Sequence, residues 1–179
     1  MTDKIKIRTT GCVYHPEEDS VLLAKAVERY AFGRVLDIGT GSGVQGIVAA
    51  KMGCDVTFSD IDSEAVWCAK ANAGENGVEG RFVVSDLFEK ISGRFDTIIF
   101  NPPYLPSGEA EVKALDGGKD GREVIDRFIS EYKDHVEGKH MVLLLESSFN
   151  NYERDVERLK AVVVEKGHYF FEDLAVLRF

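Results

Sequence analysis

A chain of 179 residues, 44% apolar and 30% charged, suits one globular domain with a substantial core, and excludes disordered, collagen-like and fibrous classes. Acidic residues outnumber basic ones by 31 to 22, and the resulting charge of -9 opposes tight binding to a phosphate backbone. The longest apolar run, Met141 to Leu145, falls far short of the roughly 20 residues that cross a bilayer, so no membrane segment is expected. The charged first residues show no secretory signal. Cys12, Cys54 and Cys68, with His15, His135, His140 and His168, lack metal or redox spacing. Cys54 and Cys68 lie in apolar company and read as buried, inert thiols of a cytoplasmic protein.

In chain order, Asp19-Ser20 is a helix-start signal, and Leu23, Ala26, Val27 and Tyr30 then share one helical face. A strand at 34–38 leads through a glycine loop to helical Val44, Ile47 and Val48. A second strand follows at 55–59, and Asp62 or Ser63 caps a helix ending near Asn76-Gly77. Strands at 81–85 and 97–100 come next. Residues 102–121 break the rhythm, with Gly108, Gly117, Gly118 and Gly121 in a loop long enough to be a functional lip. Ile125, Phe128, Ile129 and Tyr132 predict a helix before the strand at 140–146, and Phe149, Tyr152, Val156 and Leu159 predict one after it. The last strands, 161–165 and 169–178, have only Lys166-Gly167-His168 between them, which forces an antiparallel hairpin. The whole predicts a doubly wound α/β sheet in a single domain, residues 1–179.

Val35-Leu36-Asp37-Ile38-Gly39-Thr40-Gly41-Ser42-Gly43 passes from strand straight into helix. Gly39, Gly41 and Gly43 let the backbone turn and approach a ligand, which the free N–H groups of the next helix favour. Gly41-Ser42-Gly43-Val44-Gln45-Gly46 also satisfies the dinucleotide fingerprint, which keeps a nicotinamide oxidoreductase open. Asp37 argues for another ligand: a carboxylate at the strand end repels a pyrophosphate and attracts a cation, such as the sulfonium and ammonium of S-adenosylmethionine. Asp60, ending the second strand, suits a ribose diol. Ile61 beside it is assigned to the same site. Asp86, ending the third strand, suits an adenine amino group, with Leu87 covering the ring.

Asn101-Pro102-Pro103-Tyr104 closes the fourth strand at the expected topological switch point. The Asn101 carboxamide oxygen and the Pro102 carbonyl are two acceptors stiffened by proline, suited to a planar NH2 group, and Tyr104 can pack on its flat face. Such acceptors strengthen as the nitrogen gains positive charge, stabilising the transition state more than the ground state. No strong general base is needed, because the proton is far more acidic after methyl transfer. The expected reaction is therefore methylation of a planar NH2 nitrogen.

These segments together resemble the class I S-adenosylmethionine-dependent methyltransferases of the amino-methylating kind, over nearly the whole chain. That resemblance implies a Rossmann-like seven-stranded sheet of order 3-2-1-4-5-7-6 with strand 7 antiparallel, and S-adenosylhomocysteine as product. Val13-Tyr14-His15-Pro16-Glu17-Glu18-Asp19-Ser20 and the segment Asp116-Gly117-Gly118-Lys119-Asp120-Gly121-Arg122-Glu123-Val124-Ile125-Asp126-Arg127-Phe128 are similar to the HemK-like archaeal and eukaryotic branch. Ser20 stands where Thr is common, which keeps the hydroxyl. By this resemblance, Tyr14, Asp19 and Ser20 in the segment 1–33 close over the methionine end of the cofactor, Asn101 also touches it, and 102–121 form the substrate lip. The implied acceptor is the glutamine side chain in the Gly-Gly-Gln loop of a class I release factor. With only residues 1–33 before the first strand, the helical domain of the bacterial branch is expected to be absent. A small zinc-ribbon activator protein is implied at the edge strand Arg81-Phe82-Val83-Val84-Ser85, where an apolar edge invites strand addition.

The nearest rival is an adenine-N6 methyltransferase on DNA or RNA, since adenine offers the same NH2 once flipped out. The net charge makes a nucleic-acid partner the weaker expectation. A non-enzymatic scaffold is opposed by the intact set Asp60, Asp86 and Asn101.

Overall fold

The computed structural model describes residues 5–9, 11, 13–107, 116–169 and 171–179. Cys12 and Gly108 therefore lie outside the described residues, as do 108–115 of the expected lip. Helix α1 (Glu18–Tyr30) precedes β1 (Arg34–Ile38), α2 (Val44–Lys51), β2 (Asp55–Asp60), α3 (Ser63–Glu75) and β3 (Arg81–Val84). Then come β4 (Phe95–Phe100), α4 (Glu123–Glu131), β5 (Val136–Ser147), α5 (Tyr152–Leu159), β6 (Val162–Tyr169) and β7 (Glu172–Arg178). No helix among the described residues is long and apolar enough to cross a membrane.

The seven strands form one sheet in the order β3-β2-β1-β4-β5-β7-β6. Pairing is parallel from β3 to β5 and antiparallel at both contacts of β7. This is the expected topology. Central strands are buried almost without interruption, as in β1, where Val35 to Ile38 are all buried, because helices cover both faces. Edge strand β3 is only half covered. Asp62 caps α3, accepting from the Glu64 N–H at 2.8 Å. On one face, Phe128 of α4 packs against Phe100 with ring centroids 4.8 Å apart and against Phe88 at 5.7 Å.

Several expectations need correction: Cys54 is only half-buried, and Tyr132 lies just past α4 on the 3-10 turn Tyr132–His135. Lys166, Gly167 and His168 do not connect the last strands but belong to β6, pairing with Ala175, Leu174 and Asp173. The ladder runs as far as the pair Tyr169–Glu172. An edge strand tolerates both a glycine and charged side chains on its open face, so the ladder runs on through them. Phe149 likewise leaves the stripe of α5: it sits on the 3-10 turn Ser148–Asn150 and is 52% exposed, because that turn interrupts the helical period.

Candidate active site

The ends of β1, β2 and β4 meet where the chain reverses direction across the sheet, the usual position for a ligand in an open α/β fold. Gly39, Gly41 and Gly43 all take positive φ, so the loop curls through a conformation that side chains resist. Two carboxylates hold it. Asp37 is buried beneath the loop, its Oδ2 accepting from the Thr40 hydroxyl at 2.6 Å and the Gly46 N–H at 2.9 Å. Asp60 accepts from the Gly41 N–H at 2.9 Å and the Asp62 N–H at 3.0 Å. Burial pushes both carboxyls up, Asp37 to about 7, and their mutual repulsion adds to the rise at Asp37. Ile61 stands 67% exposed beside Asp60. Leu87, buried with a positive φ of 42°, turns the chain just past β3, and the preceding Asp86 pairs with Arg127 of α4 at 3.1 Å.

Asn101 leaves β4 facing the first turn of α1. Its Nδ2 donates to Asp19 Oδ2 at 2.8 Å, while the Tyr14 hydroxyl donates to Oδ1 of the same carboxylate at 3.2 Å. A carboxylate only accepts, so the NH2 side of Asn101 must face Asp19 and the opposite Oδ1 is fixed as an acceptor. That oxygen is buried and has no protein partner. Asp19 also polarises the amide, which enriches Oδ1 in electron density. Pro102 and Tyr104 are buried, and Pro103 is half-buried. The Tyr14 and Tyr104 hydroxyls are held above the ordinary tyrosine range, first by burial, then by the charges of Asp19 and Glu17 at Tyr14 and of Glu172, Asp19 and Glu17 at Tyr104. The corner thus sits in a negative field. A shallow groove lined by Pro16, Glu17, Glu18, Val21 and Tyr169 lies alongside, and Glu17 accepts from Tyr14 at 3.5 Å.

Residues 12–167 match the family model of the methyltransferase small domain. The chain belongs to the methyltransferase small domain family. A Methanocaldococcus jannaschii protein provisionally named as a protein N5-glutamine methyltransferase is 43% identical over 163 residues, covering 87% of this chain and 83% of that one. The ribosomal RNA small subunit methyltransferase C of Serratia proteamaculans is 33% identical over 78% of this chain, which spans only 44% of that protein. Among solved structures, the E. cuniculi Mtq2–Trm112 complex, responsible for methylation of the eRF1 translation termination factor, is similar with a TM-score of 0.73. Its identity is 27%, and the match covers 92% of this chain and 96% of that one.

In this small methyltransferase domain, the described groups fit S-adenosylmethionine. Its net positive charge suits two carboxylates whose proton affinity burial has pushed up, and the open turn of α2 suits its carboxylate: Gly43 caps that helix without a side-chain hydrogen bond. Of the residues assigned from sequence, Tyr14, Asp19 and Asn101 are joined in one hydrogen-bonded chain, while Asp37 and Asp60 each grip the glycine loop, at Thr40 and Gly41 respectively. Ser20 is buried, its carbonyl accepting from Gln45 Nε2 at 2.9 Å, so α1 is tied to the start of α2. Among the described residues, Asp86 is engaged by Arg127 rather than by either of these networks.

Three supporting residues escaped the sequence reading. Asn72 donates to the Ser42 carbonyl at 2.8 Å and the Arg8 carbonyl at 2.9 Å, stapling the N-terminal segment to the glycine loop. Arg122 and Asn150 brace the return of the lip against the Asn101 corner. All three act across long sequence separations, so no local pattern marks them. The sole hint for Arg122 was its place in the segment similar to the HemK-like branch.

Proposed function

We propose that this domain transfers a methyl group from S-adenosylmethionine to the side-chain amide nitrogen of the glutamine in the Gly-Gly-Gln loop of a class I release factor. The observation that carries this reading is the buried, unpartnered Oδ1 of Asn101, aimed by the Asp19 carboxylate on the other side of the amide. When bound, the cofactor supplies an electrophilic methyl group. Gly39, Gly41, Gly43, Asp37 and Asp60 are the residues that would hold it, with Ile61, Asp86 and Leu87 around the base and Tyr14, Asp19 and Ser20 over the methionine end.

Asn101 Oδ1 and the Pro102 carbonyl accept the two N–H groups of the acceptor amide. They hold its plane still and bind it more tightly as positive charge develops on nitrogen. Tyr104 packs on the flat face. Its hydroxyl, held protonated by burial and nearby carboxylates, stays neutral and serves as a surface rather than a base. The proton leaves the nitrogen after transfer, so no strong base is required.

The 43% identity to a protein provisionally named as an N5-glutamine methyltransferase and the likeness to the Mtq2–Trm112 complex support the protein acceptor. That complex also supports a second subunit. Strand β3 ends the sheet with Val84 39% exposed, which suits strand addition by a small partner of the zinc-ribbon kind. The 33% identity to a ribosomal RNA methyltransferase favours a second reading, an exocyclic base amine such as that of adenine, because acceptors aimed at NH2 do not read the polymer behind it.

A labelled methyl-transfer assay separates the two. Label is expected on the release factor and not on single-stranded nucleic acid, and is lost when the loop glutamine becomes alanine. Label on nucleic acid alone overturns the protein acceptor. Asn101→Ala is expected to lower turnover by about 10²–10³-fold or more while cofactor affinity is largely kept; full activity in that variant excludes the mechanism.

A further inference from the structure

We infer that Asn150, on the 3-10 turn that follows β5, is a positioning residue for methyl transfer, clamping the exit of the Asn101 corner to the return of the lip. The inference rests on the amide-methylating site proposed above. Asn150 is 1% exposed, and its side chain spends both N–H groups on carbonyls of different segments: Tyr104 O at 2.8 Å and Gly121 O at 3.1 Å. Its Oδ1 accepts from the Ser147 N–H at 3.4 Å, which completes the carboxamide and sets its plane.

Arg122 holds the clamp itself. Its guanidinium donates to the Asn150 carbonyl and is anchored by Asp155, by Asp126 at 3.1 Å and by Glu146 at 3.5 Å. The approach is close enough to require glycine at 121, where an added Cβ would stand 2.2 Å from the Tyr104 carbonyl oxygen.

Proline chemistry explains the need. Pro102 and Pro103 have no N–H, so the corner lacks two of the donors with which a loop ordinarily ties itself down. It is held from outside instead: Asp19 grips the Asn101 side chain at one end, and Asn150 grips the Tyr104 carbonyl at the other. Between these anchors lie the two acceptors that aim the NH2 group. Loss of one anchor frees the corner to drift, and a displacement near 1 Å costs about 10²-fold in rate.

The test compares Asn150→Ala and the isosteric Asn150→Asp with wild type in the full chain. Both remove the donors, and Asn150→Asp preserves volume should the alanine variant fail to fold. kcat, KM, the cofactor Kd and amide hydrogen exchange are measured. A fall in kcat of about 10- to 100-fold is expected, with the cofactor Kd within about threefold of wild type. Faster exchange is expected in 101–107 and 117–122, with that of the β1 and β2 strands unchanged. The inference is overturned if a folded variant keeps kcat within about threefold, or loses cofactor affinity in proportion to rate. Unchanged exchange in those two segments overturns it as well. Wild-type transfer to nucleic acid instead of the release factor sinks the proposed acceptor, and the variants are then compared on that acceptor. If neither acceptor is methylated, the exchange measurement decides alone.

Discussion

Asp19 and Asp60 divide the labour of the site between them. Asp19 reaches across from helix to strand and turns Asn101 so that its nitrogen faces the carboxylate and its oxygen is left as the open acceptor of the proposed transfer. Asp60 shapes the glycine loop through Gly41 and stands at the strand end that suits a ribose. Asp60→Ala should therefore weaken S-adenosylmethionine binding by about 10- to 100-fold, the range for a hydrogen bond to a charged acceptor, as read by isothermal titration. Affinity within twofold of wild type would remove Asp60 from the cofactor site.

Glu146 offers a separate test. It is fully buried in β5, and burial first, then the neighbouring Asp155 charge, push its carboxyl up to about 9 against the pull of Arg122. The folded chain keeps a proton that the unfolded chain releases near pH 4.5, so stability is full below that pH and falls as pH rises toward 9. Asp37, raised to about 7, contributes in the same direction but is spent by about pH 7. Thermal melts should show wild type losing stability between pH 7 and 9, and Glu146→Gln flattening that slope. An unchanged slope in the variant would place the titration elsewhere.

At the scale of elements, α4 is the piece that fastens the lip's return to the sheet. Phe128 is fully buried among Phe88, Phe100 and Tyr132, and Arg127 beside it reaches Asp86 after β3. Phe128→Ala should cost about 3–5 kcal/mol in a denaturant melt, the sum of lost transfer free energy and an unfilled cavity. A cost below about 1 kcal/mol would show that the cluster collapses to fill the space. The i, i+3, i+4, i+7 spacing of Ile125, Phe128, Ile129 and Tyr132 made this apolar face visible in the sequence, and all four are buried, although Tyr132 falls just past α4 on the 3-10 turn Tyr132–His135. Phe149 followed the same arithmetic and failed, because spacing does not register a 3-10 turn that breaks the period. Gly167 looked like a turn for a related reason: glycine marks a permissive backbone, and only pairing with Leu174 shows that the strand continues.

The whole molecule leaves β3 at one margin of the sheet and carries its charge of -9 on a chain whose site is itself negative. A lysine in place of Val84 should block strand addition by a small partner while leaving cofactor affinity intact. Co-purification and activity with the partner added test this; undiminished stimulation of Val84→Lys would move the partner to another face. The sheet order followed only from the resemblance to a known family, but by itself the sequence determined the strand–helix alternation, the terminal antiparallel hairpin, the glycine loop, Asp60 and the Asn101 corner. These are written in contiguous residues whose periodicity, turn chemistry and spacing act locally. Only the tertiary structure decided which way the Asn101 amide points and what holds its corner still. Asp19 and Asn150 lie far from Asn101 along the chain, and which of several possible partners a buried amide takes is set by packing that brings distant helix, strand and turn within 3 Å.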